Sequence, residues 1–145
     1  MILDKDEIKK YIPHREPFLF VDKILELDLE KSIKGSVVFS KDSYFFQGHF
    51  PSNPVVPGVI IVEAMAQVGG VLIYKSFEAD LVGLSPALVG IDNVKFKAPT
   101  LPDDELIIET VLVKKKLNIF KLSSKAYNND KLVVQAEITA TILRN

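Results

Sequence analysis

The longest apolar run of the chain, residues 59–74, is broken in character only by Glu63 and Gln67. It is shorter than the roughly 20 residues that a membrane span needs. Pro57 and Gly58 stand immediately before it. Proline suits the first-turn region of a helix, because its missing N–H would have no acceptor there. A helix that is apolar on every side must be covered on every side. Strand-like segments precede and follow it, so a curved sheet wrapped around one long helix is the α+β arrangement that buries it. At 145 residues, with no Pro/Gly/Ser-rich divide, the chain is expected to form a single domain over residues 1–145.

The remaining segments fit that plan. Residues 4–11 suit a short helix, with acids in the first turn and Pro13 limiting its extension. Residues 18–29 and 33–39 read as an early hairpin, with Glu30 and Lys31 at its turn. Residues 40–57 read as a loop, because Gly48, Pro51, Pro54 and Pro57 punctuate it at short intervals. Strands are expected at 87–96, 105–115, 118–127 and 131–143, the last two joined by a turn at Asn128-Asn129-Asp130. Within the apolar run, Gly69-Gly70 is poor for helix propensity but permits the close approach of another backbone.

Charge and composition narrow the chemistry. A formal net charge of -1, spread over interspersed acids and bases, indicates neither a nucleic-acid groove nor a polybasic membrane face. The absence of cysteine removes disulfides, thiolate nucleophiles and thiolate zinc sites. The first residues carry acids where a signal peptide needs a basic segment, so a cytoplasmic location is expected. Histidine, carboxylates and backbone groups are left to do any chemistry.

Three devices converge between Gly48 and Gln67. His49, set between Gly48 and a proline-stiffened loop, is suited to taking and returning protons near neutrality. Taken alone, such a residue is more often a hydrogen-bonded structural histidine. Glu63 is the sole charge between Gly58 and Tyr74. Burial there disfavours the carboxylate, and a carboxyl group that keeps its proton can serve as an acid. Its ordinary alternative is a glutamate that escapes to solvent or pairs with a buried base. Gln67, one turn further along the same face, can hydrogen-bond and orient that group. Gly58 lets a ligand approach free N–H groups at the helix start, a plausible oxyanion site and, taken alone, a weak one. His14 and Arg15 are assigned a structural hydrogen-bonding role, because their segment links helix to strand and lacks a nearby acid–oxyanion arrangement in sequence.

With these residues in view, the chain resembles the β-hydroxyacyl-[acyl-carrier-protein] dehydratase family. Three stretches carry the resemblance: Pro13-His14-Arg15 with Pro17-Phe18-Leu19; Gly48-His49-Phe50-Pro51 through Pro57-Gly58-Val59 to Glu63-Ala64-Met65-Ala66-Gln67; and Val94-Lys95-Phe96 with Pro99. The resemblance implies a hotdog fold, a long helix wrapped by an antiparallel sheet. It puts His49 and Glu63 on the catalytic positions and Gly58 on the glycine whose N–H meets the thioester carbonyl. The related dehydratase–isomerases have Asp at the helical acid position, so Glu63 implies the dehydratase without the isomerase step. Two departures stand out. Pro102-Asp103-Asp104 replaces a common Pro-Gly-Asp and should alter a turn, and Pro86-Ala87-Leu88 lacks the aromatic residues common near the tunnel gate.

The expected reaction is dehydration of (R)-β-hydroxyacyl-[acyl-carrier-protein] to the trans-2-enoyl thioester in fatty-acid elongation. The resemblance implies no metal or redox cofactor, the substrate arriving on the phosphopantetheine arm of acyl carrier protein. It also implies a homodimer in which His49 and Glu63 of one site come from different subunits, with three dimers forming a hexamer. No nucleic-acid or membrane partner is implied. Lys95 and Lys97 are candidate contacts for an acidic carrier protein. The readings set against this one are a hotdog thioesterase, which releases a free thiol, and a non-catalytic acyl-binding hotdog, whose tunnel has no need of both His49 and Glu63.

Overall fold

A computed structural model of the chain describes residues 1–81 and 83–144, and the side chain of every one of these except Arg144. It contains α1 (Lys5–Ile8), β1 (Lys23–Asp28), β2 (Ser32–Val38), a 3-10 turn (Tyr44–Gln47), α2 (Gly58–Ser76), α3 (Glu78–Leu81), β3 (Leu84–Phe96), β4 (Glu105–Lys116), β5 (Ile119–Asn128) and β6 (Lys131–Arg144). The six strands form one antiparallel sheet in the order β1-β2-β4-β5-β6-β3.

The sheet curls around α2, as burial of an apolar helix requires. Alternate residues point inward along β4 and β5, placing Leu106, Ile108, Phe120, Leu122 and Ala126 in the core. From α2 they meet Ala64, Met65, Val68, Val71 and Leu72, all fully buried. Gly69 sets the spacing. A Cβ there would lie 2.5 Å from Leu122 Cδ1, so the close approach that glycine permits is to a side chain of β5 and not to another backbone. The helix is long and apolar enough to cross a membrane by length and composition, yet most of it lies against the wrapping sheet.

Local chemistry explains the ends of the elements. Asp4 caps α1 in a reciprocal box with Glu7. Glu30, Asn129 and Asp130 take positive φ in the two hairpin turns placed there from sequence. The strand expected from residue 18 starts instead at Lys23. Phe20 N–H donates to Gln67 Oε1 at 2.9 Å and Phe18 O accepts from Gln67 Nε2 at 2.8 Å, so a helix side chain takes the place of a neighbouring strand. Asp103 stands at φ 68, a conformation that glycine adopts without strain, and its Oδ1 accepts Lys41 N–H at 2.9 Å.

Candidate active site

Glu63 projects from the second turn of α2, with its side chain 20% exposed. Burial pushes its carboxyl group above the usual glutamate range, an effect partly offset by a hydrogen bond from Gln67. That bond runs from Gln67 Nε2 to Glu63 Oε2 at 2.8 Å. Gln67 is itself 1% exposed and held at both ends by Phe18 O and Phe20 N–H. The amide therefore has little rotational freedom, and it fixes the carboxyl plane. Because Oε2 is occupied by a donor, a proton on neutral Glu63 belongs on Oε1.

His14 is the residue whose place the sequence did not disclose. Its Nε2 lies 3.5 Å from Glu63 Oε2, so the segment assigned a purely structural role brings a titratable group against the candidate acid. Residues 14 and 63 are far apart in sequence, and only the packing of the 12–20 segment across α2 joins them. Arg15 does play the structural part. Its guanidinium donates to the carbonyls of Lys9, Ile12 and His14. Burial, and then the Arg15 charge, hold His14 below the usual imidazole value.

Glu63, His14 and Gln67 open onto a cavity of about 290 Å³. Its other walls are largely apolar, with Ile12, Ile73, Leu122 and Ile138 among them. Pro86, Ala87 and Leu88 also line it, which places the departure noted there on the wall that an acyl chain would touch. This is the form of a site for an apolar ligand with one polar end.

His49 and Gly58 do not line that cavity. His49 Nδ1 is 2.9 Å from Val55 O, and a carbonyl only accepts, so the neutral ring carries its proton on Nδ1 and presents the bare lone pair of Nε2. Its ring stacks on Phe50 at 4.2 Å. Gly58 opens α2 and lines a second hollow of about 490 Å³ with Phe96 and Lys97. A Cβ at Gly58 would lie 2.5 Å from Phe96 Cε1, so any larger residue here would have to displace the exposed Phe96 ring. Within one chain, Glu63 with His14 and Gln67, His49 with Val55 and Phe50, and Gly58 with Phe96 are separate groupings. Among the described residues, no cluster of three or more metal-ligating side chains occurs.

The FabA-like domain family matches residues 12–137. The chain is 45% identical to the 3-hydroxyacyl-[acyl-carrier-protein] dehydratase FabZ of Lawsonia intracellularis, over 94% of this chain and 90% of that protein. It is 43% identical to the enzyme of the same name from Campylobacter lari, over 98% and 99% respectively. Among solved structures, the dehydratase heterocomplex ApeI:P from Xenorhabdus doucetiae aligns with a TM-score of 0.78 at 17% identity, covering 95% of this chain and 91% of that one. At such identity the structural match speaks for the hotdog fold alone.

Proposed function

The chain belongs to the FabA-like 3-hydroxyacyl-[acyl-carrier-protein] dehydratase family, and from that premise we propose that His49, Glu63 and Gly58 carry its elimination chemistry in sites shared between two subunits. The protein is a hydro-lyase of fatty-acid synthesis that dehydrates 3-hydroxyacyl-[acyl-carrier-protein]. The thioester carbonyl acidifies the α-hydrogen, while the β-hydroxyl leaves only when protonated. His49 Nε2 takes the α-proton, and the electron pair forms the double bond as the C–O bond breaks. Glu63 delivers its Oε1 proton to the departing oxygen, giving water and the enoyl thioester. Gly58 N–H, at the positive end of α2, stabilises the charge that develops on the thioester oxygen. Returning the proton from His49 to Glu63 resets the site.

The observation that carries the shared site is the edge strand β3. It ends the sheet, and Leu88, Val89, Ile91 and Phe96 on it are all 43% or more exposed. An apolar unpaired edge invites pairing with a second copy. The cavity of Glu63 touches β3 at Pro86, Ala87 and Leu88, whereas the hollow of Gly58 touches it at Phe96. Antiparallel two-fold pairing centred on β3 lays the first end of one strand beside the second end of its partner. The Glu63 cavity of each subunit then faces the Gly58 hollow of the other, and His49 reaches the shared site from the loop that leads into α2. We extend the proposal to three such dimers in a hexamer working in the cytoplasm.

Co-expression of His49→Ala and Glu63→Ala chains with different tags tests the arrangement. Each variant alone should be inactive on a short 3-hydroxyacyl carrier thioester, followed by enoyl formation. Random pairing makes about half the dimers mixed, and each mixed dimer has one intact site of two, so roughly a quarter of wild-type activity should return. Verified mixed dimers without activity would overturn the shared site.

A further inference from the structure

One half-buried titratable group near the site has no part in the chemistry above. His14 Nδ1 is buried, with no hydrogen-bond partner among the described residues, while Nε2 faces Glu63 Oε2 at 3.5 Å. A proton on Nδ1 would be an orphaned buried donor, whereas on Nε2 it faces an acceptor oxygen. The charged ring is disfavoured, because it would bury a cation beside Arg15 and still orphan the Nδ1 proton.

We propose that His14, as a neutral imidazole with its proton on Nε2, is a positioning residue that joins Gln67 in donating to Glu63 Oε2 and so keeps the acid proton on Oε1. This rests on the reading of Glu63 as the acid. At 3.5 Å the second donor stands about half an ångström beyond a formed hydrogen bond, and such contacts tighten once a substrate closes the site. The clamp matters most after proton delivery. Glu63 is then a carboxylate within a largely apolar cavity, and two N–H groups on Oε2 stabilise it without competing for Oε1. Among the described residues, the other titratable groups nearby are committed elsewhere. Arg15 is turned back onto backbone carbonyls, and Tyr74, the remaining titratable residue lining the cavity, donates its hydroxyl to Leu84 O at 2.8 Å with its pKa pushed up to about 12.

The test is kcat against pH for His14→Leu, His14→Gln and His14→Asn, with Glu63→Gln as control. Removing the donor raises the pKa of Glu63, and turnover requires its protonated form. His14→Leu should therefore lose about tenfold in kcat while its alkaline limb moves to higher pH. Glutamine places an N–H near the Nε2 position and cannot become a cation, so His14→Gln should recover most of kcat and return the limb to the wild-type pH. Wild-type kcat and pH limb in His14→Leu would overturn the inference. So would equal losses in the Leu and Gln variants, or lost turnover with an unmoved limb, which is the mark of packing alone. Should His14→Leu fail to fold, Gln and Asn decide: asparagine cannot reach the Nε2 position, and equal activity of the two overturns the clamp. A Glu63→Gln protein with full turnover overturns the acid and the clamp together. An inactive Glu63→Gln beside an unaffected His14→Leu overturns the clamp alone.

Discussion

Glu63 and His49 are held in opposite ways. Glu63 hangs from a helix buried among six strands, and a glutamine that is itself tied at both ends grips one of its oxygens. His49 rides a loop, where one backbone carbonyl sets its proton and one stacked ring supports its face. Burial raises the pKa of Glu63, which favours the proton-bearing form that an acid needs. A base needs an exposed lone pair and a defined proton on its other nitrogen, which a stiff loop supplies while leaving the ring accessible to a second subunit. Disturbing the first half should therefore reach into stability, whereas disturbing the second should remain a matter of chemistry.

The largest effect should come from the reacting groups. His49→Ala and Glu63→Ala should each lower kcat by about 10³-fold, within the range for loss of a general base or acid. The His49 variant should keep its melting temperature within about a degree. A dehydratase still near full activity after either change would end the assignment, and a marked loss of stability at His49 would erase the contrast.

Gln67→Ala should sharpen it. The change orphans Phe18 O and Phe20 N–H and frees Glu63 Oε2, at a cost of about 2–4 kcal/mol, so melting should fall by roughly 5–10 °C together with turnover. Thermal unfolding beside steady-state rates checks both arms. Lost activity with unchanged melting would mean that Gln67 serves only the chemistry.

The smallest effect is electrostatic. Folding holds the proton on Glu63 to a higher pH than the unfolded chain does, because burial raises its pKa. That share of stability is fully present below the ordinary glutamate range and is lost as pH rises through the raised folded value. Glu63→Gln removes this slope, so its melting temperature should gain on the wild type as pH increases. Parallel melting curves across that range would show that burial of the carboxyl group is not reflected in stability. His14 has the opposite sign, its folded pKa being lowered, so its share of stability is lost as pH falls and lies at the other end of the range.

The sequence alone determined the elements and the kinds of chemistry. An apolar run with strands on both sides could be buried only inside a wrapping sheet, and Glu63 and Gln67, four residues apart on one helix, had to share a face. Those are short-range or periodic relations, which the order of residues expresses directly. Where backbone groups were satisfied from a distance, sequence order was silent. The strand expected at residue 18 gave way to Gln67, and His14 came to rest against Glu63, because both depend on a segment crossing a helix about fifty positions away. Tertiary structure also decided that His49 does not line the cavity onto which Glu63 opens. The order of residues picks out His49 and Glu63; the folded chain decides which oxygen of Glu63 is gripped by Gln67 and which nitrogen of His49 meets Val55 O.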